Sequence, residues 1–505
     1  MKINKNGFAF TSLVYMLFLI FMALLFSLLN LMRSRKLILD GIKNDILNEF
    51  HQEKIDDTVG ESDDTDEETS IYRDSTLNGA DPVFTSNMIP VRYDEVNKQV
   101  LKASLYEKWY DYTNKKWANI VLVSETNRTV YQNTEAGTVI KPEDILAYLV
   151  WIPRYKYYVP RKSNNSIEIV FQDTNQKNYC IDSKKSCAND SNHMITHPSF
   201  RFAGHELKGF WVAKFEPSFT DQNLTILPNK NSYLSSDSNW NLQAMFKKTR
   251  EMEIYHNVYG FHNSALANKV NDGGNINNDN NVVDSHLMKS VDWGAVTYLT
   301  MSKYGKNKEP SNNNTQVTGG GDFYSNGSQS TTGNITGIYD MVGGSWEYVM
   351  SGTYKEQNYD NKYYDKYNPN SLSTIFLPVY RSGVVGDATH GEYEFSTMGG
   401  IGDSFKDIIN DFFDDNLLSS HNERNVISWV PDTVYNSDNR LFQSDDIIST
   451  KRPYLTRGCN YADGSNSSLF CRYSRDGKGT EQMTTSSGAE VTVSFSFRPV
   501  IVITN

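Results

Sequence analysis

The sequence predicts a loop-rich α+β domain that follows an N-terminal transmembrane helix. Three observations predict it. The run "GFAFTSLVYMLFLIFMALLFSLLNLM" (residues 7–32) contains no charged residue. It exceeds the roughly 20 apolar residues that a helix needs to span a bilayer. Near the chain's end, "VTVSFSF" alternates apolar Val491, Val493, Phe495 and Phe497 with polar neighbours, the period of a half-buried strand. Between the two, "LMKSVDWGAVTYLTMSKYG" (residues 287–305) places apolar side chains at Val291, Ala295, Leu299 and Met301, a helical spacing.

Lys2 and Lys5 precede the N-terminal apolar run, and Arg33, Arg35 and Lys36 follow it. This near balance does not set an orientation by charge. Residues 37–50 keep apolar positions at Leu37, Ile38, Ile42, Ile46 and Phe50, so the helix is expected to continue past the membrane. The start "KNGFAF" with the long apolar helix resembles type IV pilins and pseudopilins. The resemblance implies cleavage after Gly7, with Phe8 as the new N-terminus. It also implies an anchoring helix over residues 8–32 and pilus or pseudopilus components as partners. Ser12 departs from the pattern, because that family carries Glu at the fifth mature position. The expected location is a cell membrane, single-pass, with the C-terminal bulk extracellular.

The 505 residues carry 60 Asp+Glu against 49 Lys+Arg, a net charge of −11. The acid is concentrated. Residues 51–68 hold nine acidic side chains and one Lys, and so −8 of the total. That stretch predicts a self-repelling disordered linker, taken as residues 51–87. The remainder is near neutral, so no basic face for nucleic acid is expected. The aromatic share of 13%, with 31 Tyr, favours a β-rich recognition protein, since Tyr offers wide contact area with few rotatable bonds.

Residues 88–145 read as a small β-rich module. In it, "EKWYDYTNKKWANIVLV" forms two strands about a "TNKK" turn. Trp109, Tyr110, Tyr112 and Trp117 belong to its core or to a sugar-stacking surface. From Leu149 onward short β-type runs alternate with Asn-, Ser- and Gly-rich loops at 271–281 and 309–333. "TGGGD" (residues 318–322) has no flanking strand-to-helix transition and reads as a flexible loop. The final "VIVI" is a continuous apolar run, expected as a strand buried on both faces. The four cysteines form two local pairs, Cys180/Cys187 and Cys459/Cys471. They read as disulfides in an oxidising compartment or as free thiols in a reducing one.

Several segments then line up in order: "LVWIPRYKY", "GFWVAKFEPSF", the helix at 287–305, "GIYDMVGGSWEYV" (residues 337–349), "YLTRGCNYADGSNSSLFCRYSRDG" and "FSFRPVIVI". The series resembles the formylglycine-generating enzyme, or sulfatase-modifying factor, family. It covers residues 146–505 and implies a loop-rich C-type-lectin-like domain. In that family a calcium ion sits on the "YDM-x-G-x-x-WE" element. Carried over, its structural ligands are Asp340, Gly343, Ser345 and Glu347, all chemically able to serve. The alternative has Asp340 capping a turn and Glu347 solvated. Trp346 and Tyr348 are expected in the core.

The family's enzymes oxidise a substrate cysteine with a copper-holding cysteine pair four residues apart. Here Cys471 precedes "RYSRDG", but no cysteine lies between Asp463 and Phe470. Cys459 takes the last glycine of the family's "RGG", and eleven residues separate it from Cys471. A disulfide is the expected state, and no catalytic residue is assigned. The sequence also resembles the variable proteins of diversity-generating retroelements, which use this region for binding. That resemblance implies a ligand-contacting loop with Asn460, Tyr461, Asp463, Asn466, Phe470, Arg472, Tyr473 and Arg475. The expected function is a membrane-anchored, externally displayed binding protein recognising a glycan or protein surface. The alternatives are a copper-dependent oxidase of protein cysteine and a minor pilin.

Overall fold

The computed structural model describes residues 70–158, 166–178, 194–202, 205–220, 223–232, 240–261, 282–355, 379–382, 454–462, 467, 469, 472–475, 480–484 and 490–504. The chain falls into two units, Met1–Thr69 and Ser70–Asn505. The first lies outside the described residues, and so do the expected cleavage site at Gly7 and Phe8 and the segment 8–32.

The main strands are β1 (Ile89–Asp94), β2 (Gln99–Lys102), β3 (Asn119–Val123), β4 (Val139–Ile140), β5 (Ile145–Pro153), β6 (Gly209–Ala213) and β7 (Val282–Leu287). They are followed by β8 (Trp346–Lys355), β9 (Val379–Ser382), β10 (Tyr454–Arg457), β11 (Arg472–Arg475), β12 (Thr480–Thr484), β13 (Glu490–Phe497) and β14 (Pro499–Thr504). One sheet has eight strands in the order β7–β14–β6–β5–β3–β1–β2–β4, and every pairing in it is antiparallel. The second runs β11–β10–β8–β13–β12, with β9 beside β8. Its β8–β13 and β8–β9 pairings are parallel.

The strands form where the apolar pattern demands them. β5, "ILAYLVWIP", is buried along nearly its whole length, and all six residues of β14 are buried. Each large apolar side chain so buried is worth about 1.5–3 kcal/mol. Trp151 on β5 and Trp211 on β6 meet at 5.1 Å between ring centroids. Their strands pair in register at those two residues.

Among the described residues the α-helices are α1 (Glu125–Asn133), α2 (Leu242–Ile254), α3 (His256–Tyr259) and α4 (Ser290–Thr300). α4 is the helix expected from the 287–305 spacing. It begins where the Asp292 carboxylate accepts the Lys289 N–H at 3.0 Å, which satisfies a donor that the first turn leaves unpaired. Trp293, Ala295, Val296 and Leu299 on it are all buried.

Two expectations are corrected. The α+β class gives way to a mostly β architecture built on one large antiparallel sheet. The membrane-spanning helix, and with it the single-pass membrane location, is not supported: among the described residues no helix is long and apolar enough to cross a membrane. The longest, α2, has 13 residues, against about 20 required.

The domain boundaries move as well. Residues 70–87 pack on the core instead of ending a linker. Leu77 and Ala80 are fully buried. The Trp151 and Trp211 indoles donate to the carbonyls of Ala80 at 2.9 Å and Val83 at 2.6 Å. This stretch lacks the acid that makes 51–68 repel itself. Nor is 88–145 a separate module, because β1 to β4 belong to the same sheet as β5, β6 and β14.

Candidate functional site

The segment "GIYDMVGGSWEYV" lies where the two sheets meet. Its last residues enter β8, with β10 on one side and β13 on the other. Glu347 faces Arg457 across the antiparallel ladder and Ser496 across the parallel one. Three segments far apart in sequence thus come together: this motif, "YLTRGCNY" and "FSFRPVIVI". Trp346 and Tyr348 are buried as expected, and both pack on Phe495.

The turn before β8 has little freedom. Gly343 and Gly344 have φ of 81° and 68°, the left-handed region that glycine enters without penalty. A Cβ on Gly343 would lie 1.7 Å from Asn312 Oδ1 and 2.4 Å from the Asn313 carbonyl oxygen. The Gly343 N–H donates to the Gly458 carbonyl at 3.1 Å, and the Tyr461 N–H donates to the Gly344 carbonyl at 2.9 Å. These two bonds fix the turn of residues 458–461 against the motif.

Beneath the turn is a buried polar cluster. Glu347 is fully buried and forms a two-pronged pair with Arg498. Nε donates to Oε2 at 3.0 Å, and Nη2 donates to Oε1. Arg498 also donates from Nη1 to the Ala213 carbonyl at 2.8 Å and from Nη2 to the Tyr339 carbonyl at 3.1 Å. Asp340, at φ 62°, accepts from Asn313 Nδ2 at 2.9 Å and from the Gly319 N–H at 2.9 and 3.0 Å. "TGGGD" is therefore a turn that donates to Asp340, not a free loop. Ser345 donates its N–H to Glu216 Oε1 at 2.9 Å, and its Oγ lies 2.9 Å from Ser232 Oγ.

Three buried carboxyls and one guanidinium cannot all be charged at low cost. Burial, then the charges of Glu347 and Asp340, pushes the Glu216 carboxyl far above the usual range. Burial raises Glu347 to about 7 against the opposing pull of Arg498. Burial raises Asp340 as well, opposed first by Arg498.

The acidic side chains expected to hold calcium face donors of the protein itself. Both Glu347 oxygens face a guanidinium, both Asp340 oxygens face N–H donors, and Ser345 is held by Glu216 and Ser232. Among the described residues no group of three or more His, Cys, Asp or Glu side chains is placed to hold a metal. Glu347 has a guanidinium as its counter-cation.

The expected ligand loop is only partly described. Asn460 is buried, and its side chain accepts the Ala462 N–H at 2.8 Å, so it shapes the turn and is withdrawn from the surface. Tyr461 is 38% exposed. Arg472, Tyr473 and Arg475 lie on β11, paired with β10. Asp463, Asn466, Phe470 and Cys471 lie outside the described residues, as do Cys180 and Cys187. Cys459 is disulfide-bonded, buried and left-handed at φ 58°.

Glu216, Arg498 and Lys214 were not singled out from sequence. Each is a charge inside an apolar run, "GFWVAKFEPSF" or "FSFRPVIVI", and that is the signal that marks them. Lys214 is fully buried. Its Nζ donates to Asn119 Oδ1 at 2.8 Å and to the carbonyls of Ile335 at 2.5 Å and Gly337 at 3.0 Å. Burial holds its ammonium well below the usual lysine range. No protein-family model matches this chain, and no curated protein matches it.

Proposed function

We propose that this chain is a binding protein and not an oxidase. It recognises a glycan or protein surface through the segment that follows Arg457, and it is a non-catalytic relative of the formylglycine-generating enzymes. The observation that carries the reading is the state of Cys459. A sulfur held in a disulfide is not the thiolate that Cu(I) chemistry requires, and this one is buried in a fixed left-handed turn. Two residues on, Tyr461 presents an exposed ring from a backbone bonded to Gly344. An aromatic on a fixed base loses little freedom when it binds.

The test uses the unreduced full chain. Peptide mapping is expected to find Cys459 in a disulfide, and titration with Cu(I) is expected to show no stoichiometric uptake. Tyr461→Ala is expected to weaken retention on arrays of glycans and surface proteins at least tenfold. A free Cys459 thiol with one bound Cu(I), together with oxidation of a cysteine peptide, would overturn the reading.

A further inference from the structure

Away from the Glu347–Arg498 cluster, a cavity of about 420 Å³ opens beside β1 and β3. It is of the size that small-molecule sites take. Tyr93 and Trp109 are half-buried on its wall, with Arg92, Glu95, Lys116 and Asp111 among its polar lining. We propose that this cavity is a carbohydrate-binding site for a neutral pyranose unit, which stacks on Trp109 and meets the charged side chains through its hydroxyls.

The wall is fixed before any ligand arrives. The Trp109 ring stands edge-on to buried Tyr110 at 4.8 Å, and the Tyr110 hydroxyl donates to Asp81 at 2.7 Å. The Tyr93 hydroxyl donates to Asn119 Oδ1 at 2.8 Å, an atom that Lys214 also holds. Lys214 Nζ lies 4.8 Å from the centre of the Tyr93 ring. Asp111 is held by Lys108 at 2.6 Å and by the Asn114 amide at 2.6 Å. Rigid aromatic walls reduce the ordering cost of binding.

The free groups point to the ligand class. Trp117, Trp151, Trp211 and Trp293 each donate the indole N–H to a backbone carbonyl. The Trp109 indole has no hydrogen bond to a described residue. Arg92, Glu95 and Lys116 are exposed and make no ion pair with a described residue. The lining therefore offers strong donors and a strong acceptor together. With Lys108 and Asp111 paired, Glu95 would repel a polyanion, and Arg92 and Lys116 a polycation. A neutral polyhydroxyl ring, with a C–H face for an aromatic and hydroxyls that both donate and accept, satisfies all of them.

This site shares no residue with the segment around Tyr461, so the two readings fail separately. Calorimetry on the full chain would use neutral hexa-oligosaccharides of glucose, mannose, galactose and N-acetylglucosamine, with an oligouronate as the acidic probe. At least one neutral probe is expected to bind. Trp109→Ala is expected to weaken it at least tenfold, Trp109→Phe less, and Tyr461→Ala not at all. Glu95→Gln, at an exposed position, is expected to weaken it severalfold. Absence of binding to every neutral probe, binding to the oligouronate alone, or binding indifferent to both Trp109→Ala and Glu95→Gln would each overturn the proposal.

Discussion

Arg498 is the most informative residue to perturb. It sits between β13 of the second sheet and β14 of the first. Its guanidinium reaches β8 through Glu347, β6 through the Ala213 carbonyl, and the motif through the Tyr339 carbonyl. Removing one partner of a buried ion pair leaves the other charge uncompensated and costs about 3–5 kcal/mol. Glu347→Gln keeps the shape and should fall at the lower end. Arg498→Met also strips two carbonyls of a donor, each worth about 1–3 kcal/mol when left unsatisfied, so it should cost more. Against a typical total stability of about 5–15 kcal/mol, either loss is large. Combining Glu347→Gln with Arg498→Met should recover part of it, because no charge is then stranded. Urea unfolding of the full chain, followed by tryptophan fluorescence and circular dichroism, measures all four corners of the cycle. The junction reading fails if Glu347→Gln costs under about 1 kcal/mol, or if the double variant is no better than Arg498→Met.

Two further outcomes follow from the turn and the cluster. Gly343→Ala should destabilise by at least about 2 kcal/mol, from the left-handed backbone and the collision with the Asn313 carbonyl. Gly344→Ala should cost less, because its Cβ would come no nearer than 2.9 Å to any atom, against 1.7 Å at Gly343; equal urea midpoints for the two would refute this. Glu216→Gln should change the pH dependence. The folded carboxyl holds its proton above the ordinary value of 4.5, so the folded state binds more protons than the unfolded state. That contribution is complete below about pH 4.5 and is lost as pH rises through the folded value. Glutamine has no proton to lose, so the variant should gain on the wild type between pH 5 and pH 8; a gap that is constant or moves the other way counts against it.

The pattern in the sequence was enough for the strands whose apolar residues run continuously or strictly alternate. "VIVI" became β14, "VTVSFSF" became β13, and the apolar spacing after Leu287 became α4. Residues 70–87 read as linker because the acid of 51–68 colours the composition around them. Only long-range contacts, such as the Trp151 indole on the Ala80 carbonyl, show where the packing starts. The separate module at 88–145 was misread for a related reason. A strand's neighbours in a large antiparallel sheet are set by pairings such as β3 with β5, and a local window does not contain them. The four aromatics of "KWYDYTNKKW" divide: Tyr110, Tyr112 and Trp117 are buried, while Trp109 is half-buried on the cavity wall. Asp340 and Glu347 stand out in the sequence as acids flanking the Gly-Gly turn, but their partners do not. Those partners are Arg498, over 150 residues away, and the Gly319 N–H in a turn that composition alone reads as loose.

The same residues that make the chain look like an enzyme are the ones that hold its sheets together. Glu347 is matched by Arg498 on both oxygens, and Gly343 can be nothing larger because Asn312 and Asn313 press on it. Gly458 and Tyr461 are bonded to the motif through backbone. The side chains of this constellation are engaged with one another and with the backbone around them. What it does provide is a stiff frame with turns hung at its edges. The binding sites proposed above lie where side chains keep unmatched polar groups and exposed ring faces. Among the described residues the strongest such places are Tyr461, on the turn that the motif braces, and Trp109, on the cavity wall that Lys214 and Asn119 stiffen from behind. Both are aromatic, both rest on backbone that is already fixed, and neither belongs to the motif that first suggested an enzyme.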